Sequence, residues 1–331
     1  MTQKLPQQMQ AVEISAPGGP EVLRVTIRQV PALGAGEVLI KVAAAGVNGP
    51  DMMQRKGLYP APPGASDLLG LEVSGEIVAL GAGVARWRTG DQVTALTNGG
   101  GYAEYCAVDA THCLPLPAGI GLIDAAGLPE TCFTVWSNVF IGAALTAGET
   151  FLVHGGAGGI GSTCIQLGKA FGAKVIATDS QPQRCKFCAD LGADRVVDYR
   201  EEDFVEVVRK AGGANVILDI VGGPNIERNL KAAAHDARII QLAFAQGSKV
   251  EINLMPVMLK RLSYTGSTLR TRPAAFKARV ARELEEKVWP LIGSGKMKPV
   301  VNATFELADA GKAHALMESS AHIGKIVLKM A

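Results

Sequence analysis

TFLVHGGAGGIG, Thr150 to Gly161, is a short apolar run followed by Gly156-x-Gly158-x-x-Gly161 and then by a helix-forming segment to Phe171. A strand buried on both faces of a parallel sheet reads as a continuous hydrophobic run. A glycine turn leading from such a strand into a helix lets backbone N–H groups and the helix dipole meet a pyrophosphate, so the stretch reads as a dinucleotide site. Alone the pattern is weak, because 39 of the 331 residues are glycine and glycines crowd many turns. Its surroundings strengthen it. Strand patterns recur at 174–179, 195–199 and 215–221, each followed by a helix pattern opening at Pro182, Asp203 and Pro224. Runs at 237–243 and 263–267 add a fifth and a sixth strand, with a helical 255–262 between them. Strands and helices that alternate in this way specify an α/β fold with a doubly wound six-stranded parallel sheet, the Rossmann arrangement.

The first 130 or so residues read differently. Short runs rich in Val, Ile and Leu at 9–14, 23–30, 37–42, 72–80, 91–96 and 102–108 are separated by Gly/Pro clusters, the mark of a mainly β region with many turns. A helix pattern over 131–145 carries the chain into the parallel sheet, and after Arg272-Pro273 come a long polar helix, the strand-like VNATFEL, a helix at 308–320 and a closing strand at 323–330. That last strand would be an orphan edge unless it returned to the first sheet. The expected division is therefore 1–131 with 270–331 as one domain, made from both chain ends, and 132–269 as the dinucleotide-binding domain. Between 57 and 66 lies the longest irregular stretch, GLYPAPPGAS, with Tyr59 its one large side chain.

At this length two domains are the reasonable prior. The charges are balanced, 33 basic against 31 acidic, with no like-charged run to grip nucleic acid or an anionic membrane, so the expected partner is a small molecule. The N-terminal MTQKLPQQMQ has no basic-then-apolar leader and no apolar stretch reaches about 18 residues, which points to a cytoplasmic protein without a membrane span. The six cysteines are scattered and read as reduced thiols. Cys185 and Cys188 form a CxxC, yet on the helix after the second strand, where a redox motif is not expected.

The segments AAAGVNGPDMMQRKGLYPAPPGASDLLGLEVSGEI, ETCFTVWSNVFIGAALTAGETFLVHGGAGGIG, GSTLRTRP and ESSAHIGKIVLKM resemble the medium-chain dehydrogenase/reductase superfamily, and within it the zinc-free quinone oxidoreductases related to ζ-crystallin. The resemblance spans nearly the whole chain and implies a GroES-like catalytic domain beside the Rossmann domain. Asn48 and Leu71 stand where the zinc-dependent members carry a Cys and a His. An amide and an isobutyl group cannot replace a thiolate and an imidazole, so the implied chemistry is metal-free. A quinone, already an easily reduced electrophile, suits that constraint. The implied activity is NAD(P)H-dependent quinone reduction by hydride transfer. Reduction of α,β-unsaturated aldehydes or ketones and a non-catalytic, crystallin-like cofactor-binding role stand as alternatives.

The resemblance assigns Asn48, from the GVN motif, a hydrogen bond near the nicotinamide or quinone oxygen, and Tyr59 a stacking face with a polar tip. For Asn48 the cap of a short helix beginning near Pro50 is an open alternative, and Asp51 is expected to make a structural bond. Met53 stands where other members carry a second tyrosine, and Gly49 where arginine is usual in the subgroup that the chain resembles within this branch, the one whose animal member is induced by a tumour-suppressor transcription factor. Cofactor contacts are implied for the backbone of Gly156, Ala157, Gly158, Gly159 and Ile160 at the pyrophosphate. Thr134, Val221, Phe244 and Ser267 are implied toward the nicotinamide end. Asp179, ending the second strand, is placed to hold a ribose 2′-hydroxyl and so admits NADH, or else to cap the helix before Pro182. Ser180 and Arg184 match a grip on the 2′-phosphate of NADPH, and Tyr199 matches a family tyrosine near the adenosine. NADPH with tolerated NADH and no zinc is the expectation. The strand at 263–267 would be an exposed edge, which pairing about a two-fold axis would satisfy, so a homodimer is expected.

Overall fold

A computed structural model describes residues 5–330. The chain divides into two compact units, one running to Phe133 and resuming at Arg270, the other from Thr134 to Leu269. In the first unit the strands are β1 (Gln8–Ile14), β2 (Leu23–Gln29), β3 (Glu37–Val47), β4 (Glu72–Leu80), β5 (Gln92–Leu96), β6 (Tyr105–Asp109) and β7 (Cys113–Pro115). The second unit holds β8 (Thr150–His154), β9 (Lys174–Asp179), β10 (Arg195–Asp198), β11 (Ala214–Asp219), β12 (Ala233–Gln241) and β13 (Ser263–Gly266). The chain then returns to the first unit with β14 (Val301–Glu306) and β15 (Lys325–Lys329).

β1 and β2 form a ribbon of their own, and a seven-stranded sheet runs β14-β15-β3-β4-β5-β7 with β6 paired to β3. β15 lies antiparallel to β3, with Ile326 opposite Val47 and Leu328 opposite Ala45, so the closing strand is covered on both edges. Val38, Ile40, Val73, Ile77, Val93, Ile326 and Leu328 share one buried cluster. Burying each such side chain contributes roughly 1.5–3 kcal/mol.

The second unit's six strands run parallel in the order β10-β9-β8-β11-β12-β13, the Rossmann order, whose reversal between β8 and β11 opens a crevice at the strand C-termini. All five residues of β8 are buried, as a central strand covered by helices on both faces must be. The helix Gly159–Ala170 closes against the sheet at Gly161, where a Cβ would lie 2.1 Å from the Gly155 carbonyl oxygen.

One expected helix differs. The segment read as a helix over 131–145 is an α-helix at Pro129–Val135 that continues as a π-helical turn at Trp136–Gly142. Asn138 Nδ2 and Ser137 Oγ donate to the Thr134 carbonyl at 2.8 and 3.2 Å, and the Ala143 N–H reaches back to Asn138. Side chains that compete for a backbone acceptor loosen the regular ladder. Among the described residues no helix is long and apolar enough to cross a membrane.

Candidate active site

The glycine turn after β8 does not offer all five expected amides. Gly156 N–H donates to Thr178 O on β9, Gly158 N–H to Gly155 O inside the turn, and Ala157 N–H donates to Asp179 Oδ2 at 2.8 Å. Gly159 and Ile160, in the first turn of the helix, are the amides that helix geometry leaves over. The pyrophosphate expectation is thus narrowed to Gly159 and Ile160, because the other three N–H groups build the turn. The cradle is open: nothing lies closer than 3.6 Å to a Cβ placed on Gly158. A diphosphate fits what remains.

Asp179 is paired with Arg184. Its carboxylate accepts from Ala157 N–H, from Ser180 N–H at 2.8 Å and from Arg184 Nε at 2.7 Å, and the residue is 3 % exposed. A carboxylate so occupied clamps the glycine turn and holds Arg184, leaving it poorly placed for a ribose hydroxyl. Nor does it cap the following helix, Pro182–Asp190, whose N-cap is Gln181. The Tyr199 N–H donates to the Asp179 carbonyl, so Ser180, Arg184 and Tyr199 come together around the end of β9, with the Tyr199 ring exposed. Cys188 packs beneath Gly156, its sulfur 2.7 Å from a Cβ placed there, and burial pushes its thiol up to about 12, far from a redox thiolate.

Val221 and Phe244 share one interlocked pair of turns: Gln246 N–H donates to Val221 O and Gly223 N–H to Gly247 O. Asp219, ending β11, fixes the first turn by accepting Val221 N–H at 2.6 Å and Gly222 N–H at 3.0 Å. Ser267 follows β13 directly. Apart from Thr134, the implied cofactor residues stand at strand C-termini, in the turns that follow them or, like Gly159, Ile160 and Arg184, in the first turn of the helix beyond. Thr134 lies in the last turn of the α-helix Pro129–Val135, just before the π-helical turn.

In the first unit, Asn48 caps the helix Gly49–Arg55, and Asp51 accepts its N–H at 2.8 Å. The amide is deeply engaged: Nδ2 donates to Glu72 Oε1 at 2.9 Å and Oδ1 accepts from Lys325 Nζ. Lys325 pairs with Glu72 at 2.6 Å, with side-chain exposures of 6 % and 0 %. A Cβ on Gly46 would stand 2.0 Å from the same Glu72 oxygen, so only glycine admits that carboxylate. Asp51 accepts Gly70 N–H and Tyr102 Oη–H at 3.1 and 3.2 Å, a structural role. Burial nevertheless outweighs those bonds and pushes its carboxyl up to about 6. Asn48 is thus the N-cap and a member of a buried charged network at once. Leu71 is buried, and no group of three or more His, Cys, Asp or Glu suited to a metal occurs among the described residues.

Tyr59 is half-buried, with the Arg270 guanidinium 5.6 Å from its ring centroid. Arg270 donates to the Asn98 carbonyl at 2.8 Å and to Gln54 Oε1 at 2.8 Å. Lys277 Nζ donates to Asn98 Oδ1 and to the Arg270 carbonyl, and burial brings its pKa down to about 8. Neither cation has a carboxylate within ion-pair distance among the described residues. Glu130 senses both and Tyr59; burial, then the charge of Glu72, pushes its carboxyl up to about 8. Sequence reasoning missed Glu130, Arg270 and Lys277 as site residues. A signal existed for Lys277, which shares a stripe at i, i+3, i+4 and i+7 with buried Val280, Ala281 and Leu284. None existed for Lys325, a partner 277 positions from Asn48.

Two family models match the chain: an alcohol dehydrogenase GroES-like domain at residues 34–118 and a zinc-binding dehydrogenase domain at 159–286. The quinone oxidoreductase of Rattus norvegicus is 32% identical over 326 residues, covering 97% of each chain. Among solved structures, the Escherichia coli quinone oxidoreductase complexed with NADPH aligns with a TM-score of 0.86 at 30% identity, over 97% of this chain and 99% of that one. A mycobacterial protein complexed with NADPH aligns with a TM-score of 0.86 at 31% identity over the same shares. With its Rossmann strand order, its GroES-like unit closed by the last strand, and these relatives along nearly its full length, the chain belongs to the medium-chain dehydrogenase/reductase superfamily, in the quinone oxidoreductase branch.

Proposed function

We propose that the chain reduces quinones with NADPH, without a metal, and accepts NADH less well. The observation that carries this reading is the Tyr59 ring set against Arg270, with Lys277 beside it and no carboxylate paired to either cation. Bound NADPH would supply the hydride. Tyr59 offers an aromatic slab to a planar ring, and hydride addition leaves negative charge on a quinone oxygen, which an unneutralised Arg270 and Lys277 favour. Asn48 orients the site from its place in the Glu72–Lys325 network. Gly159 and Ile160 take the pyrophosphate, Ser180 and Arg184 the 2′-phosphate, Tyr199 the adenosine, and Thr134, Val221, Phe244 and Ser267 the nicotinamide end. The relatives solved with NADPH support the cofactor half of this reading. The test is loss of the reduced cofactor's near-ultraviolet absorbance across a quinone panel. No loss above background would leave only a cofactor-binding module.

A second reading, reduction of α,β-unsaturated carbonyls, draws support from Glu130. Hydride delivery to the β-carbon leaves an enolate that needs a proton at the α-carbon, and a carboxyl held protonated to about pH 8 can donate one. Enones outrunning quinones in the same assay would favour it.

The proposed assembly is a homodimer. All four residues of β13 are exposed, and Leu254, Met258 and Leu259 stand 60%, 67% and 61% exposed just before it. An open edge beside apolar surface favours a second copy. A monomer mass by light scattering at micromolar concentration would refute this.

A further inference from the structure

A line of buried side chains joins the two turns of the second unit that face the proposed cofactor. Gly155 and Gly156 donate their N–H groups to the Thr178 carbonyl. Thr178 Oγ1 stands 2.8 Å from His154 Nδ1, and His154 Nε2 stands 2.8 Å from Asn229 Oδ1. Asn229 Nδ2 then donates to Asp219 Oδ2 at 2.8 Å. The other oxygen of Asp219 receives Val221 N–H and Gly222 N–H. Every side chain in the line is at most 3 % exposed.

The donors fix the direction of the whole line. Asn229 spends its amide hydrogen on Asp219, so its oxygen must accept, and His154 must carry its proton on Nε2. His154 Nδ1 then accepts the Thr178 hydroxyl. Burial pushes the imidazole below its ordinary value, which keeps this neutral tautomer. The charged neighbours are Asp219, within the line, and Arg228, while the Phe204 ring packs edge-on at 4.8 Å. Five elements contribute: β8, β9, β11, the helix Asn225–Ala232 and the turn after β11. A buried network with every member satisfied admits one arrangement and resists sliding.

We infer that His154 and Asn229 are positioning residues for the cofactor, holding the Val221–Gly222 turn in register with the glycine turn so that one dinucleotide meets both. The inference rests on the reading that the chain binds NADPH. Neither residue touches the ligand. They act through Asp219, whose carboxylate sets where the Val221 and Gly222 backbone stands.

The test compares two probes on full-length protein by fluorescence or calorimetric titration: NADPH, which spans both turns, and adenosine 2′,5′-bisphosphate, which reaches only the first. Asn229→Leu should weaken NADPH about tenfold, the worth of roughly one net hydrogen bond, and leave the fragment within about twofold. Asn229→Asp, of the same shape, guards against a leucine variant that does not fold. When protonated, its carboxyl can accept from His154 and donate to Asp219, so NADPH affinity should approach wild type at acid pH and fall as pH rises and two carboxylates face each other. The wild type should show no such loss. Equal weakening of both probes would mean general loosening and would overturn the inference, as would two unchanged affinities or an Asn229→Asp variant without pH dependence. Wild-type protein that binds neither probe would overturn the cofactor reading itself, and the inference with it.

Discussion

In the second unit the surface proposed to receive the cofactor is largely backbone: the amides of Gly159 and Ile160 and the turns at Val221 and Phe244, held by Asp179 and Asp219. In the first unit it is side chain: Tyr59 against Arg270, Lys277 behind them, Glu130 alongside, and Asn48 locked to Glu72 and Lys325. Backbone amides carry partial charges that helix and turn geometry place at little desolvation cost. Buried full charges must each find partners, and those partners lie far apart in the chain. The first kind of site is robust and general. The second is fragile and specific, and four experiments would break or sharpen that contrast.

The largest effect should come from Lys325→Met, which leaves Glu72 buried and unpaired. About 3–5 kcal/mol of stability should be lost, read as a shifted urea midpoint with an unchanged slope. Adding Glu72→Gln should recover much of it. A loss under about 1 kcal/mol would show that the network is not the brittle half of the molecule.

Arg184→Ala comes next. A guanidinium near a 2′-phosphate is worth about 1–3 kcal/mol, so the ratio of kcat/KM for NADPH over NADH should fall tenfold or so. Asp179→Ala should weaken both cofactors, because it releases Ala157 N–H and the glycine turn. A variant that binds NADPH better would return Asp179 to the selective role its position first implied.

Glu130→Gln tests the raised carboxyl through stability. The carboxyl's pKa is raised from 4.5 to about 8, so the native state keeps a proton that the unfolded chain releases. Stability should therefore fall as pH climbs through that window and stay lowered above it. The variant should melt on the order of 2–4 °C higher than wild type at pH 9 and little differently at pH 4. Parallel pH profiles of melting for the two proteins would count against the protonated acid.

Tyr59→Ala should have the smallest effect, a several-fold loss of quinone turnover, since a stacking contact is worth ~0.5–1.5 kcal/mol beyond its area. Reduced-cofactor affinity should not move. Unaltered turnover would make Tyr59 part of its loop's own packing.

The same contrast decides what was legible in the sequence. The strand-glycine-helix run at 150–161, the alternation that follows and the return of the last strand are local patterns of period and punctuation, and the sheet orders follow from them. The amides were legible as a group but not singly, because whether Ala157 N–H faces a ligand depends on Asp179, twenty-two positions away. Asn48 posed two readings, a hydrogen bond near the nicotinamide or a helix cap; the structure puts it at the N-cap position and adds a charged network that neither reading held. Glu130 gave no local sign, since what raises its carboxyl is desolvation and Glu72 on β4, 58 positions away.

The return of the chain in β15 sets a timetable for the protein's birth. Glu72 leaves the ribosome early, and Lys325, the cation that neutralises it, follows only after the whole second unit has been made. At about 5–20 residues per second that interval is roughly 10–50 seconds. Throughout it the carboxylate must stay hydrated, so β3 and β4 cannot complete their shared core around Gly46. The second unit needs nothing from later in the chain to pair its six strands. On the ribosome, then, the middle of this molecule is expected to be finished before its beginning.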